Sequence, residues 1–267
     1  MRVSELIISG YLGYLLVLAW ALPLPAARRK VVALVALADL ALVWWISKAE
    51  TTAGVVVRDW LPALQILIGY WLSGAFFLRP MTGVEAWLAK WDRTLFDEVG
   101  ARHIAERGPR WLLEYLELAY LAVYLLVPLG FGVAYWLTPA LDADRYWTIV
   151  VAAELACYAM LPWIQTRPPR ALRLHAAIED RRLAIHRLNG LVLGLGSIQV
   201  NTFPSGHAAG AFATAFAVGL FVPGAFPAFL VLAGSITIAA VIGRYHYAAD
   251  TAAGVLVAIG VWWLAGR

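Results

Sequence analysis

Charged residues are scarce in this 267-residue chain: Asp, Glu, Lys and Arg make up 14% of it, whereas hydrophobic residues make up 62%. This composition lies outside the range of ordinary soluble domains. A single cysteine, Cys157, excludes an intrachain disulfide. The chain also lacks a basic stripe interleaved with aromatic residues, which argues against a nucleic-acid partner. It lacks the alternating strands of a membrane barrel as well.

Long apolar runs dominate the sequence, and several reach the roughly 20 residues that a helix needs to cross a bilayer. Many of the 13 tryptophans stand at the ends of these runs, where the headgroup layer accommodates an indole ring. The pattern predicts an all-α, polytopic transmembrane helical bundle of about eight spans. The predicted spans are Leu6–Ala26, Val31–Ile46, Trp60–Leu78, Trp111–Trp136, Tyr146–Ile164, His207–Val222, Pro227–Gly243 and His246–Ala265.

The predicted organisation is an N-terminal pair of helices in residues 1–50, followed by a catalytic membrane domain in residues 51–267. Two loops are long enough to carry structure. In the first, large side chains at 87, 88, 91 and 95 follow helical spacing, which predicts a helix in the headgroup plane or a partner-binding helix. In the second, residues 165–200, we expect a loop with one short polar helix that caps or gates the membrane face.

A Pro-Ser-Gly-His sequence at residues 204–207 opens the sixth apolar run. Ser205 is a natural helix N-cap, and Gly206 allows backbone to approach a ligand closely. Because a helix N-terminus presents N–H groups and a positive dipole end, it favours an anion. His207 stands beside this position, placed to donate a proton to a departing oxygen. The alternative interpretation is an ordinary turn before a helix.

His246 and Asp250 lie four residues apart at the start of the last run, a spacing that puts them on one helical face. A carboxylate beside an imidazole fixes its tautomer and leaves the other nitrogen nucleophilic. The alternative is a His–Asp pair that ties helices together.

Upstream, Arg167 and Arg170 flank two prolines. Their guanidinium groups match phosphate oxygens in geometry and charge, although interfacial arginines are the alternative.

In combination, these fragments resemble the motifs of the type 2 phosphatidic acid phosphatase (PAP2) superfamily of integral membrane lipid phosphatases. Residues 204–207 match the middle motif of that family in full. The sequence from His246 to Asp250, followed by Gly254, matches the last part of its third motif. The resemblance extends from about residue 60 onward and makes the first two spans an addition to a six-helix core.

The resemblance implies a role for each residue of the site. His246 would attack phosphorus and form a phosphohistidine, with Asp250 orienting it. His207 would protonate the leaving lipid oxygen and later help to activate water. Phosphate would be bound by Arg167, Ser205 and the backbone N–H of Gly206. The family needs no metal or other cofactor, and its substrate is a lipid phosphate within the bilayer.

The chain departs from the family pattern in two places. Met160 stands where the first motif carries a lysine, and Arg170 or Arg173 is the candidate replacement. Ala239 and Ala240 occupy the Ser-Arg positions of the third motif, whereas Arg244 stands two residues before His246. If helical geometry persists there, Arg244 lies only about 40° from the family position around the axis. These departures resemble the inositol-phosphoceramide-synthase-like branch, whose members transfer a phospho-head group.

Three functions therefore remain open at this stage. The favoured one is hydrolysis of a lipid phosphate or diphosphate, such as phosphatidate or a polyprenyl diphosphate. The second is transfer of the phospho-head group to an alcohol by the same histidine. The third is a non-enzymatic transporter or lipid-binding scaffold, which Asp39 and Glu154 within other spans would serve.

We expect an integral protein of the plasma (inner) membrane. With eight spans, 16 of the 21 Lys and Arg residues fall on the face that carries the three motifs, and the positive-inside rule would make that face cytoplasmic. Most relatives place the site outside the cytoplasm, and we follow that precedent.

Overall fold

The computed structural model describes residues 1–94, 100–172 and 183–266, and this part of the chain is all-α, as predicted. It contains short 3-10 turns at Pro169–Leu172 and Pro223–Ala225. The α-helices of the described residues are α1 Val3–Ala21, α2 Ala26–Ile46, α3 Thr52–Gly74, α4 Thr82–Arg93, α5 Ala101–Arg107, α6 Arg110–Leu137, α7 Ala143–Ala159, α8 Ala184–Gly196, α9 Gly206–Phe221, α10 Phe226–Ile242 and α11 Ala248–Ala265.

Each of the eight predicted apolar runs forms a helix. Within the described residues, five segments are long and apolar enough to cross a membrane: α1, α3, α6, α11 and Pro223–Ile242, which contains α10. The apolar helix α9 is shorter, at 16 residues. The chain is thus an integral membrane protein, and the count of eight spans stays a prediction.

Helix α9 is the centre of the bundle and packs against α6, α7, α10 and α11. Its buried positions are mostly alanine and glycine, and small side chains let neighbouring helices approach closely. Gly210 shows the consequence, because a Cβ atom at this position would overlap the carboxylate of Glu154 on α7. The small side chains of α9 thus bring polar groups of α7 against the helix that begins with the Pro-Ser-Gly-His motif.

The N-terminal helices share the main apolar core. Helix α1 packs against α7, α2 and α3, and its buried residues Leu12 and Leu15 belong to the same cluster as Val150 of α7 and Ala213 of α9. At one end of α1, Glu5 accepts two hydrogen bonds from Arg58 of α3, at 2.6 and 2.9 Å. The division between residues 1–50 and 51–267 stays a prediction.

Helix α4 is the helix expected from the spacing of its large residues, and it packs against α11. Its buried face carries Glu85, Leu88 and Asp92, whereas Trp87 and Trp91 are about half exposed. Acidic groups therefore face the protein and indole rings face outward. A helix in the headgroup plane remains the predicted arrangement, and residue 95, the last of the expected series, lies outside the described residues.

The second loop contains a short helix, α8, which packs against α6. Its sequence is mostly apolar, whereas we expected a polar helix. Its apolar side chains Leu188, Leu191 and Leu195 are exposed, whereas Asn189 and Leu193 are buried. The helix is therefore amphipathic, with an outward apolar stripe. Residues 173–182, where most of the charges of this loop lie, are outside the described part of the chain.

Candidate active site

The two motif histidines meet although they are 39 residues apart in the chain: His207 Nδ1 lies 3.2 Å from His246 Nε2. His207 occupies the first turn of α9, whose N-cap is Ser205, as predicted; the Ser205 hydroxyl accepts a hydrogen bond from the Ala208 N–H at 3.4 Å. His246 lies in the turn before α11 and is 4% exposed. The contact joins the middle and third motifs into one site.

A sharp turn after α10 brings His246 to this position. Arg244 adopts a left-handed conformation with φ of 62°, which costs about 1–2 kcal/mol for a residue with a side chain. The N–H groups of Tyr245 and His246 then both donate to the Ala240 carbonyl, at 2.9 and 3.0 Å. The helical geometry on which we placed Arg244 near the family position is therefore absent, because α10 ends at Ile242.

Asp250 stands on the opposite side of the His246 ring. Its Oδ2 lies 3.6 Å from His246 Nδ1, an ion-pair distance that is longer than a hydrogen bond. The same oxygen accepts the Tyr247 N–H at 2.9 Å, which holds the buried carboxylate in place. With Nδ1 facing Asp250, the Nε2 atom of His246 faces His207.

Backbone contacts also join the two motifs. The Ser205 N–H donates to the Asp250 carbonyl at 2.9 Å. One turn further along α11, Gly254 lies against the Ser205 carbonyl, and a Cβ atom at position 254 would overlap that oxygen. Glycine at this position therefore allows α11 to approach the start of α9 and sets the distance between Asp250 and the two histidines.

Arg170 is the arginine that the structure brings to the histidines. It lines a narrow pocket of about 10 Å³ together with Thr202, His207, Tyr245 and His246, which has room for about one water molecule. Its guanidinium lies 5.2 Å from the centre of the Tyr245 ring. Burial first, and then the charge of Arg170, lower the pKa of His246 to about 3, so this imidazole is neutral at physiological pH.

Arg167 and Arg244 contact carboxylates of α4 instead. The backbone and side chain of Arg167 donate three hydrogen bonds of 2.8 to 2.9 Å to Glu85. This pairing lowers the pKa of Glu85 and raises that of Arg167. Arg244 Nη1 lies 2.6 Å from Asp92, and both side chains are buried. Neither arginine is among the described residues that line the pocket, and their binding of phosphate stays a prediction.

Ser205 and Gly206 begin α9 beside the histidines, and Ser205 is fully buried. The Gly206 N–H points toward the Thr202 hydroxyl at 3.4 Å. The Gly206 N–H would have to leave the Thr202 hydroxyl to bind phosphate. Phosphate binding by Ser205 and Gly206 stays a prediction. Arg173, the other candidate cation, lies outside the described residues.

Tyrosines surround His207, and nothing in their spacing pointed to this. Tyr120 stacks on His207 with ring centres 5.4 Å apart, and Tyr124 meets it edge-on at 6.0 Å. Tyr120 also stacks on Tyr245 at 3.8 Å. Glu85 and Asp92 were equally unforeseen as arginine partners; their only signal is a seven-residue spacing that places them on one face of α4.

An apolar groove of about 300 Å³ runs between helices; among the described residues, its lining includes His207 but not His246. Tyr70 and His207 line both this groove and the narrow polar pocket. His207 therefore stands where a polar pocket meets an apolar groove. The other described lining residues of the groove are Ala63, Leu64, Ile66, Leu67, Val123, Tyr124, Val127, Pro128, Glu154, Tyr158 and Gly206.

The described residues include no group of three or more His, Cys, Asp or Glu side chains placed to hold a metal ion. Metal independence, which the family resemblance implied, stays a prediction.

A family model described as the PAP2 superfamily matches residues 86–264, about two thirds of the chain. The chain belongs to the PAP2 superfamily. The matched segment contains both histidines, Asp250 and the arginines described above, and it confirms the family that the three motifs indicated. No curated protein and no solved structure matches the chain. Membership of the superfamily, together with the apolar helices, makes the protein a membrane phosphoesterase of the phosphatase type.

Proposed function

We propose that this PAP2-superfamily protein hydrolyses a lipid phosphate or diphosphate through a phosphohistidine on His246. One observation carries the proposal: His207 contacts His246 and lines both the polar pocket and the apolar groove. A lipid with its phosphate group in the pocket and its hydrocarbon chain in the groove would have its ester oxygen beside His207. Phosphatidate, a polyprenyl diphosphate and similar lipids have this combination of head and tail.

The first step of the proposed reaction transfers the phosphoryl group to His246. The lone pair on Nε2 forms a bond to phosphorus, and the ester P–O bond breaks with its electron pair moving to the lipid oxygen. His207 donates a proton to that oxygen, which releases the alcohol. Asp250, 3.6 Å from Nδ1, stabilises the positive charge that develops on the His246 ring.

The second step returns the enzyme to its starting form. A water molecule attacks phosphorus while His207 accepts its proton, the N–P bond breaks, and its electron pair returns to His246 Nε2. Inorganic phosphate leaves. Arg170, with its guanidinium at the pocket, would neutralise charge on the phosphoryl oxygens in both steps.

Substrate binding must separate the two histidines. A nucleophile needs about 3–3.5 Å to the atom that it attacks, and the leaving oxygen must lie within hydrogen-bond reach of its acid on the far side of phosphorus. The observed 3.2 Å between His207 Nδ1 and His246 Nε2 is too short for an intervening phosphoryl group. The narrow pocket leads to the same conclusion, so we infer that phosphate binding widens it.

The second candidate is transfer of the phosphoryl head group to an alcohol. Met160 and Ala240 stand where the phosphatase motifs have cations, and this departure favours the transferase branch. The same phosphohistidine would serve, with an alcohol in place of water in the second step. The contact of His207, His246 and Asp250 counts against the third candidate, a scaffold without activity.

Phosphate release by the purified protein in detergent plus EDTA tests the proposal. The panel consists of phosphatidate, a sphingoid phosphate and a polyprenyl diphosphate, with His246→Ala and, as a matched control, His103→Ala, an exposed histidine of α5. Release that survives EDTA, disappears in His246→Ala and persists in His103→Ala supports a metal-independent lipid phosphatase. Equal release by both variants would rule out His246 as the nucleophile, and formation of a new phosphodiester without phosphate release would favour transfer.

We further propose that the protein lies in the plasma (inner) membrane with its active site on the extracytoplasmic face, on the precedent of the family. The distribution of Lys and Arg favours the opposite orientation.

A further inference from the structure

A buried carboxyl group that the proposed reaction does not use lies in the apolar groove beside His207. Glu154 of α7 is 5% exposed and lines the groove together with His207. Its Oε2 accepts a hydrogen bond of 2.5 Å from the Tyr158 hydroxyl. Among the described residues, that is the one hydrogen bond of the carboxyl group, so Oε1 has no partner there; Oε1 is also not one of the fully buried unpaired atoms, which fits a position at the groove surface. One carboxyl oxygen is therefore left for a ligand in a groove whose wall is mostly aliphatic and aromatic.

The position of this oxygen relative to the reacting atoms follows from α9. Tyr158 packs against Gly206 and Glu154 packs against Gly210, each so closely that a Cβ atom on the glycine would overlap the side chain. Gly210 follows His207 by three residues, a rise of about 5 Å along the helix. The carboxyl group thus lies about one turn deeper in the groove than the imidazole that would protonate the leaving oxygen.

The groove is open to the outside of the helix bundle beside α3. Helix α3 packs against α7 but makes few contacts with α6, and the groove-lining residues Leu64 and Leu67 of α3 are exposed. A hydrocarbon chain can therefore enter between these helices from the side. A donor group on the second or third carbon after the ester oxygen would come within reach of Glu154, because about 5 Å is roughly two bonds along the lipid plus one hydrogen bond.

A carboxyl oxygen without a partner in apolar surroundings is unfavourable, and a ligand group that donates a hydrogen bond removes that cost. A chain that is hydrocarbon throughout would displace any water there and leave the oxygen unpaired. A donor next to the phosphate ester is therefore the feature of a lipid to which this oxygen responds.

We propose that Glu154 is a specificity-determining residue that binds a hydroxyl or amino group located two or three carbons from the phosphate ester of the lipid. This inference rests on the proposed function and narrows its substrate class. Lysophosphatidate and sphingoid phosphates carry such a group, whereas polyprenyl phosphates have no donor there and the corresponding hydroxyl of phosphatidate is acylated. Lysophosphatidate has only a hydroxyl near the ester, whereas sphingoid phosphates also have an amine. Comparing the two lipids as substrates therefore distinguishes the two kinds of donor.

The test compares phosphate release from lysophosphatidate with release from its 2-deoxy analogue, which has the same acyl chain and lacks only the hydroxyl, and adds a sphingoid phosphate as a third substrate. We expect the wild-type protein to favour the hydroxylated lipid about ten- to a hundredfold in kcat/KM, the loss that follows when a buried polar group is left without its partner. Glu154→Leu should bring the ratio close to one by losing activity on the hydroxylated lipid. Glu154→Gln, which retains an acceptor oxygen, should keep an intermediate ratio.

Val127→Ala, in the apolar wall of the same groove, is the matched control and should lower both activities without changing their ratio. A wild-type ratio near one overturns the inference while leaving the phosphatase activity established. An equal loss on both lipids in Glu154→Leu and Glu154→Gln overturns it as well, because it would show a structural role. Absence of release from every lipid by the wild type would instead contradict the proposed function.

Discussion

His207 Nδ1 and His246 Nε2 lie 3.2 Å apart, with Asp250 on the far side of the second ring. This arrangement defines the site. The Nε2 atom of the neutral His246 ring faces His207, the residue that would supply a proton, and the ring lines the same pocket as Arg170. It depends on the backbone contact between Ser205 and Asp250, which joins the starts of α9 and α11. The predictions below test the parts of this arrangement one at a time.

Asp250→Asn should lower kcat by about 10²- to 10⁴-fold while KM changes little, because the amide keeps the shape of the side chain but cannot stabilise charge on His246. Single-turnover experiments with labelled phosphate measure the effect directly: the phosphohistidine should form more slowly. An unchanged rate of phosphoenzyme formation would mean that the pair has only a structural role. Thermal unfolding in detergent serves as the check that the variant is folded.

Arg170→Ala should lower kcat/KM by about ten- to a hundredfold, the loss expected when a charged hydrogen-bond donor is removed from a phosphate site. Arg187→Ala is the matched control, since Arg187 is exposed on α8, and it should retain wild-type kinetics. Equal and negligible effects of the two substitutions would return Arg170 to the class of interfacial arginines.

In Arg170→Gln, the fall of kcat/KM at acidic pH should shift to a higher pH. Burial and the charge of Arg170 lower the pKa of His246, so the imidazole stays neutral and nucleophilic as the pH falls. Without that charge the pKa rises, and protonation removes the nucleophile at a higher pH than in the wild type. Profiles of kcat/KM on one substrate should therefore show the activity of Arg170→Gln falling earlier on acidification, with Arg187→Gln unchanged. A shift in the opposite direction would exclude this coupling.

Asp92→Ala should destabilise the protein by about 3–5 kcal/mol, because it leaves the buried guanidinium of Arg244 without this counter-charge. It also removes a hydrogen bond of 3.0 Å to the Ala248 N–H at the start of α11. Glu85→Ala is the comparison and should cost roughly 1 kcal/mol, since the side chain of Arg167 is 38% exposed and can reach water. Thermal unfolding in detergent, followed by tryptophan fluorescence, compares the two. Similar losses of stability in both variants would show that the burial of the arginine does not set the cost.

The orientation can be decided by a cysteine at position 187, exposed on α8 near the site, in a Cys157→Ala background. Cys157 is fully buried, and its replacement removes the only other thiol. We expect a membrane-impermeant thiol reagent to label the Arg187→Cys protein on intact cells, which would place the site outside the cytoplasm. Labelling only after the cells are opened would support the distribution of Lys and Arg instead.

Several features of the fold could be predicted because they depend on short stretches of chain. Hydropathy over about 20 residues identified each long apolar helix, and the Ser205 N-cap was evident from its position before an apolar run. The spacing of residues along the chain was a less reliable guide to which side chains meet where a helix ends. His246 and Asp250 do approach each other, yet His246 precedes α11, and the left-handed turn at Arg244 broke the helical geometry assumed there.

The membrane class, the family and the candidate residues His207, His246 and Asp250 could be recognised from the sequence, because hydropathy and motif order are properties of the chain read locally. Which arginine faces the histidines depends on the tertiary structure. Arg167 and Arg244 pair with Glu85 and Asp92 of α4, and the packing of α4 on α11 brings these groups together. The groove that joins Glu154 to His207 likewise belongs to four helices and to none of them alone. Electrostatic pairing and cavity shape depend on which helices meet, and local patterns of hydropathy do not specify that.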